Sequence, residues 1–218
     1  MAMVKDLAER YFGRIPSSEE IISKREVPMN QQSGERIVKV EFDAEPEFLM
    51  AYHKPTYPAP ESAHLSLLYS LLDEGRSSPF QKILVQEKEV ATSIYTTEAP
   101  GDRYDPVFII GGTPKKGVTV EELIGEIDEL LMNLKLTDEM LIAAKKRIKV
   151  QILGGLASNS GLASFIGKRE LLWGDWKDLF VELEQVENTT IEEIENAMKK
   201  YLEKDNRTIT LIEKKSSK

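Results

Sequence analysis

From Thr119 to Leu202 the chain runs through one helical segment after another, and a single β-rich run, Arg207 to Ile212, follows them. Before Thr119 the pattern differs: short β-rich runs come in neighbouring pairs, separated by two apolar helical stretches. A doubly wound parallel sheet needs strands and helices to alternate. Paired strands followed by a segregated helical block imply an α+β fold instead.

The individual elements follow from periodicity. Val4, Leu7, Ala8, Tyr11 and Phe12 recur at helical spacing until Gly13 and Pro16 stop the pattern, which predicts a short amphipathic first helix. Residues 17–34 are polar, with a strand expected around Arg25–Met29 and a turn at Asn30–Gly34. Ile37 to Phe42 and Phe48 to Tyr52 read as strands. Pro55, Pro58 and Pro60 form the loop into an apolar helix carrying Leu65, Leu68, Tyr69, Leu71 and Leu72. Ser78-Pro79 supplies an N-cap and first-turn pair for another helix. Val90 to Tyr95 and Val107 to Ile110 are the next strands, the second closed by Gly111-Gly112. In the helical block Thr119-x-x-Glu122 and Thr190-x-x-Glu193 are capping boxes, and Thr137 caps a long helix from Asp138 to about Leu156. Further helices are expected around Leu162–Leu172 and Leu179–Val186. No composition break marks a linker, so a single domain over residues 1–214 is expected, with the lysine-rich 215–218 as a frayed tail.

Composition then narrows the chemistry. The 218 residues include no cysteine and two histidines, which excludes disulfides, iron–sulfur clusters and thiolate zinc sites. A formal charge of −8 argues against nucleic acid as the main partner. No stretch approaches the roughly 18 apolar residues of a membrane span. The start, Met1-Ala2-Met3-Val4-Lys5, has neither an apolar leader core nor a small-residue cleavage site. A soluble protein is expected, cytoplasmic or periplasmic according to what precedes this chain in a longer parent.

Candidate sites each meet a plainer reading. Gly112 to Thr119 almost spells a phosphate-binding loop, but the lysine that must follow the second glycine is replaced by Val118, and Thr119 is already a helix cap. His53 and His64 are eleven residues apart and do not share a helix face as zinc-binding pairs do. Glu61-x-x-His64 has di-iron spacing without a second such pair. Lys145, Lys146, Arg147 and Lys149 read as a solvated helix face, and Trp173-Gly174-Asp175-Trp176 as the plug of a helix–helix turn. Composition and spacing alone assemble no catalytic constellation.

Leu7-Ala8-Glu9-Arg10-Tyr11-Phe12-Gly13 followed by Ile15-Pro16, then Gly75-Arg76-Ser77-Ser78, Glu87 to Ser93, Leu171 to Trp176, Val186 to Thr190 and Asn206 to Leu211, taken in order, resemble one half-unit of the pitrilysin, insulin-degrading enzyme and mitochondrial processing peptidase family of zinc metallopeptidases. The first of these segments is similar to the opening helix of that family's second, non-catalytic domain. Gly75-Arg76-Ser77-Ser78 resembles its Gly-x-Ser-Ser loop, and Glu87 to Ser93 the segment after it. Leu171 to Trp176, Val186 to Thr190 and Asn206 to Leu211 resemble the closing helices and final strand. The family's zinc motif, H-x-x-E-H, does not occur here: Leu65 to Leu72, on the helix that would carry it, reads Leu-Ser-Leu-Leu-Tyr-Ser-Leu-Leu. The resemblance also implies an Arg and a Tyr that hold substrate; an ungapped reading places them at Val85 and Thr92, so neither is present, with Arg76 as a weaker substrate-binding candidate and Tyr95 three residues out of register.

The resemblance therefore implies a half-unit with a mostly antiparallel sheet of five or six strands and helices on one face. No catalytic residue, metal ligand or cofactor is expected on this chain, and zinc is expected in a partner H-x-x-E-H domain, in cis or in trans. Unfolded peptide is the expected substrate of the pair, and a homodimer is one arrangement of the chamber. A structural assembly subunit, as in the core proteins of the cytochrome bc1 complex, is the alternative role.

Overall fold

A computed structural model describes residues 2–16, 32–101 and 104–214. Five strands, β1 (Arg36–Phe42), β2 (Glu47–His53), β3 (Ala91–Ala99), β4 (Val107–Pro114) and β5 (Arg207–Lys214), form one sheet in the order β1-β5-β2-β4-β3. Only the β1–β5 pair is parallel. The last strand of the chain thus lies between the first two. The chain is α+β, as its element order implies. The strand expected around Arg25–Met29 and the tail at 215–218 lie outside the described residues.

Alternation along the strands sorts their side chains to two faces. Phe48, Met50 and Tyr52 of β2 are buried together with Phe108 and Ile110 of β4 and Ile209 and Leu211 of β5. Leu49 and Ala51 point the other way, in register with Thr210 and Thr208 of β5 and Gly111 and Ile109 of β4. Helices cover the first face only: α2 (Pro60–Asp73) packs on β3 and α3 (Val120–Asn133) on β4. Outside α2 lie α4 (Asp138–Leu156), α6 (Asp178–Asn188) and α7 (Ile191–Tyr201), with α5 (Asn159–Trp173) on α4 and α6. The second face carries no helix among the described residues. The first helix, α1 (Ala2–Phe12), buries no residue at all.

Two local expectations change. Gly111-Gly112 does not end β4, which continues to Pro114. A Cβ on Gly111 would lie 2.5 Å from the Tyr95 ring and one on Gly112 2.7 Å from the Ser93 carbonyl oxygen, so the glycines let β3 and its tyrosine close over the strand. Ser78 is not a side-chain cap either: the helical segment Phe80–Glu87 is a π-helix preceded by Pro79, and the Ser78 hydroxyl is buried without a partner. The Thr119 and Thr190 capping boxes and the Thr137 cap form as expected.

Candidate functional site

The position that would carry a metal motif is the middle of α2. Its apolar residues do not form a stripe but surround the helix, so it has to be buried on several sides. Leu65, Leu67, Leu68 and Leu72 are fully inaccessible, packed between the sheet and the outer helices. Of the two serines between Leu65 and Leu72, Ser70 is taken: its hydroxyl donates to Glu74 and accepts from Arg147 Nε at 3.0 Å. Leucine offers no donor atom to a metal, so these residues do not fit a zinc ion. Among the described residues no group of three or more His, Asp or Glu side chains could hold one.

The two histidines go to different places. His53 ends β2, where its carbonyl accepts from Asn206 Nδ2 at 2.9 Å. His64, on the second turn of α2, lines a cavity of about 280 Å³ with Glu184, Gln185 and Glu193. Glu193 is committed to its capping box; the Thr190 backbone and hydroxyl bonds hold its carboxyl below the usual carboxylate range. The near-match to a phosphate loop is a turn: Gly117 takes φ +94°, and Lys115 pairs with Glu89 at 2.7 Å.

The residues that the resemblance singles out fall around β3. Val85 packs, half-buried, against the core. Thr92 is exposed, its hydroxyl donating to the Pro114 carbonyl at 3.3 Å. Neither side chain can supply the charge or the phenol of a substrate-holding pair. Arg76 is exposed in the loop after α2, and its carbonyl accepts from Gln86 Nε2 at 3.1 Å. Tyr95 lies on the helix-free sheet face, with its hydroxyl 3.4 Å from Glu47 Oε1. Burial, then the neighbouring Glu47 carboxylate, pushes this phenol up from its ordinary pKa.

Three buried charged groups escape the sequence: Arg207, Lys54 and Arg169. Arg207, 3% exposed, donates to both oxygens of Asp128 at 2.5 and 3.0 Å, to Glu35 at 2.5 Å and to the Tyr52 hydroxyl at 3.2 Å. Burial alone would push the guanidinium down, but hydrogen bonds to Asp128, Tyr52 and Glu35 outweigh it and raise its pKa. Burial pushes the Tyr52 phenol up to about 12, against the smaller opposing pull of Arg207. Lys54, at the end of β2, is 1% exposed and pairs with Glu98 of β3 at 2.5 Å. A lone Arg or Lys at a strand end carries no sequence signal of burial; only the pairing of distant elements creates it.

Besides α2, the helical layer has an open groove of about 560 Å³ between α3 and α7, lined by Leu131, Leu134, Met198 and Leu202. On its outer side the four residues of the basic cluster separate. Arg147 turns inward to Ser70 and Glu74, Lys145 donates to the Glu187 carbonyl at 2.6 Å, and Lys146 and Lys149 are exposed. Trp173 stacks edge-on against Tyr57, in the loop before α2, at 5.0 Å and lies 5.2 Å from the Arg169 guanidinium of its own helix; Trp176, partly exposed, meets Phe180 of α6 edge-on at 6.3 Å.

Comparison with known proteins places this geometry. Residues 2–148 match the family model described as the peptidase M16 inactive domain. No curated protein sequence matches the chain. A protease from Helicobacter pylori superposes with a TM-score of 0.87 at 23% identity, over 97% of this chain and 52% of its own. A peptidase M16 inactive domain from Pseudomonas fluorescens gives 0.70 at 21% identity, over 89% and 47%. The ferredoxin protease FusC, solved in complex with Arabidopsis ferredoxin, gives 0.72 at 15% identity, over 99% and 24%. The chain spans about half the length of the first of these.

Proposed function

The chain belongs to the peptidase M16 inactive-domain family, and from that premise we propose that it is the non-catalytic wall of a peptide-enclosing chamber. Residues 1–214 act as one domain, and the chemistry is done by a separate H-x-x-E-H domain, in cis or in trans, that carries the zinc. The observation that carries this reading is α2, the helix to which the resemblance assigns the zinc motif: its buried positions are filled mainly with leucine. Such a helix supports a sheet; it has no group with which to polarise water.

Two features support the wall role. Among the described residues one face of the sheet carries no helix, and on that side Tyr95 stands over Gly111. β3 is the end strand of the sheet order among the described residues, so its outer backbone groups are open to an extended peptide by strand addition. Holding a peptide extended lowers the entropic cost of presenting its scissile bond to a partner's metal. The second feature is α1, whose Val4, Leu7, Tyr11 and Phe12 are all exposed on an amphipathic helix. An apolar helix face without a cover among the described residues fits pairing with the catalytic half.

The test is reconstitution. An H-x-x-E-H polypeptide from the same source, inert or weak alone on a quenched-fluorescent unfolded peptide, is expected to gain at least about tenfold in kcat/KM when this chain is added. A stable complex with no cleavage by either polypeptide or by the pair would replace this reading with the assembly-subunit role.

A further inference from the structure

The charge of this chain is unevenly divided, and the division reaches the outer surface of the helical layer. Residues 140–169 hold six basic residues and no acidic one. Residues 170–195 hold nine acidic residues against Lys177 alone, a net −8 that equals the formal charge of the whole chain. Part of this charge is consumed inside: Arg147 pairs with Glu74 at 3.3 Å, and Arg169 pairs with Glu182. Of the remainder, Lys146 and Lys149 lie on α4 and Glu184 and Glu187 on α6, while Lys168 and Glu170 lie on α5, Asp175 in the turn after it, and Glu192, Glu193 and Glu195 on α7.

On α4, Ile142, Lys146, Lys149, Val150 and Leu153 are all exposed. Steps of four, seven, eight and eleven residues put them on one side of the helix. On α6, Phe180, Val181, Glu184 and Glu187 are exposed, again within one face. Val150 is 60% exposed and Phe180 59%, although both are large and apolar. Lys146, Lys149, Glu184 and Glu187 make no side-chain hydrogen bond or ion pair among the described residues. The two faces adjoin, because the Lys145 ammonium reaches the Glu187 carbonyl from α4 to α6. A cationic apolar stripe therefore borders an anionic apolar stripe.

We propose that this surface is a homodimer interface, in which α4 of one copy lies against α6 of the second and α6 of the first against α4 of the second. A two-fold contact repeats each pairing twice, so a surface carrying both halves of a complementary pair matches itself. Lys146 and Lys149 meet Glu184 and Glu187, while Ile142, Val150 and Leu153 cover Phe180 and Val181. A purely cationic ligand on α6 would meet the α4 lysines next to it, and a purely anionic ligand on α4 would meet the α6 glutamates; a second copy satisfies both. This inference does not depend on the peptidase reading, and it leaves α1 and the helix-free sheet face uncovered.

Sedimentation equilibrium on the 218-residue chain tests it. The account expects a dimer at about 50 mM salt that weakens at about 500 mM, where the screening length falls to roughly 4 Å. K146E/K149E and E184K/E187K are each expected to raise the dimer dissociation constant at least about tenfold. Mixing the two variants is expected to restore a heterodimer, since each then presents charges opposite to the other's. Val150→Glu, on the same face, disrupts independently should a charge-reversed variant fold poorly. A chain that stays monomeric in low salt overturns the proposal. So does a dimer indifferent to salt and to all these changes, or a variant mixture that fails to associate.

Discussion

α2 and α5 have nearly the same length, yet they are built on opposite principles. α2 buries seven of its fourteen residues, five of them leucine. α5 buries one of its fifteen, and that one is Arg169. Around α2 the interior is hydrocarbon against hydrocarbon. Around α5 it is a guanidinium held between Phe165 at 4.6 Å and Trp173 at 5.2 Å and paired with Glu182. The first arrangement resists any change of shape, because every lost methylene leaves a void. The second tolerates change on its outer side, where Leu171 is 83% exposed. The comparison divides the molecule into a packed layer that fixes the sheet and an outer layer whose surface is available to partners.

The largest effects should come from charges buried in the packed layer. Arg207→Ala leaves Asp128 without its bidentate partner and is expected to destabilise by about 3–5 kcal/mol, measured by urea unfolding. Leu68→Ala in α2 follows, at about 2–5 kcal/mol, because the site is closed on all sides. Tyr52 supplies a pH-dependent member of the series. Its phenol is raised to about 12 in the folded state, so its contribution is complete below the ordinary phenol value near 10 and is lost as pH rises between the two. Roughly 2–3 kcal/mol should disappear across that window, and Tyr52→Phe should flatten it. Thr190→Ala removes both bonds of the hydroxyl to Glu193 and should cost about 1 kcal/mol. Leu171→Ala, at the exposed end of the scale, should stay within about 0.5 kcal/mol. A cost for Leu171→Ala equal to that for Leu68→Ala would erase the distinction between the layers.

The packed layer is also the part that the sequence makes legible. Leucines at 65, 68, 71 and 72 can only be a buried helix, and Thr119 with Glu122 or Thr190 with Glu193 is a local signal that needs no tertiary context. The order of elements was enough for α+β. Gly111-Gly112 was misleading because glycine reads as a strand end, whereas here it makes room for Tyr95 from the neighbouring strand, a fact that only pairing reveals. The Arg207–Asp128–Glu35 network was invisible for the same reason: its members are far apart in the chain and meet where β5 enters between β1 and β2. The charge division between residues 140–169 and 170–195 is present in the sequence, but its meaning depends on α4 and α6 lying side by side.

The central claim is that a leucine-filled α2 leaves this chain without hydrolytic chemistry of its own. Purified chain, supplied with zinc and incubated with a quenched-fluorescent unfolded peptide, tests it directly, with metal content measured on the same sample after desalting. The account expects no retained zinc and no cleavage above the uncatalysed rate. Zinc retained at one ion per chain, together with cleavage that a chelator abolishes, would contradict it.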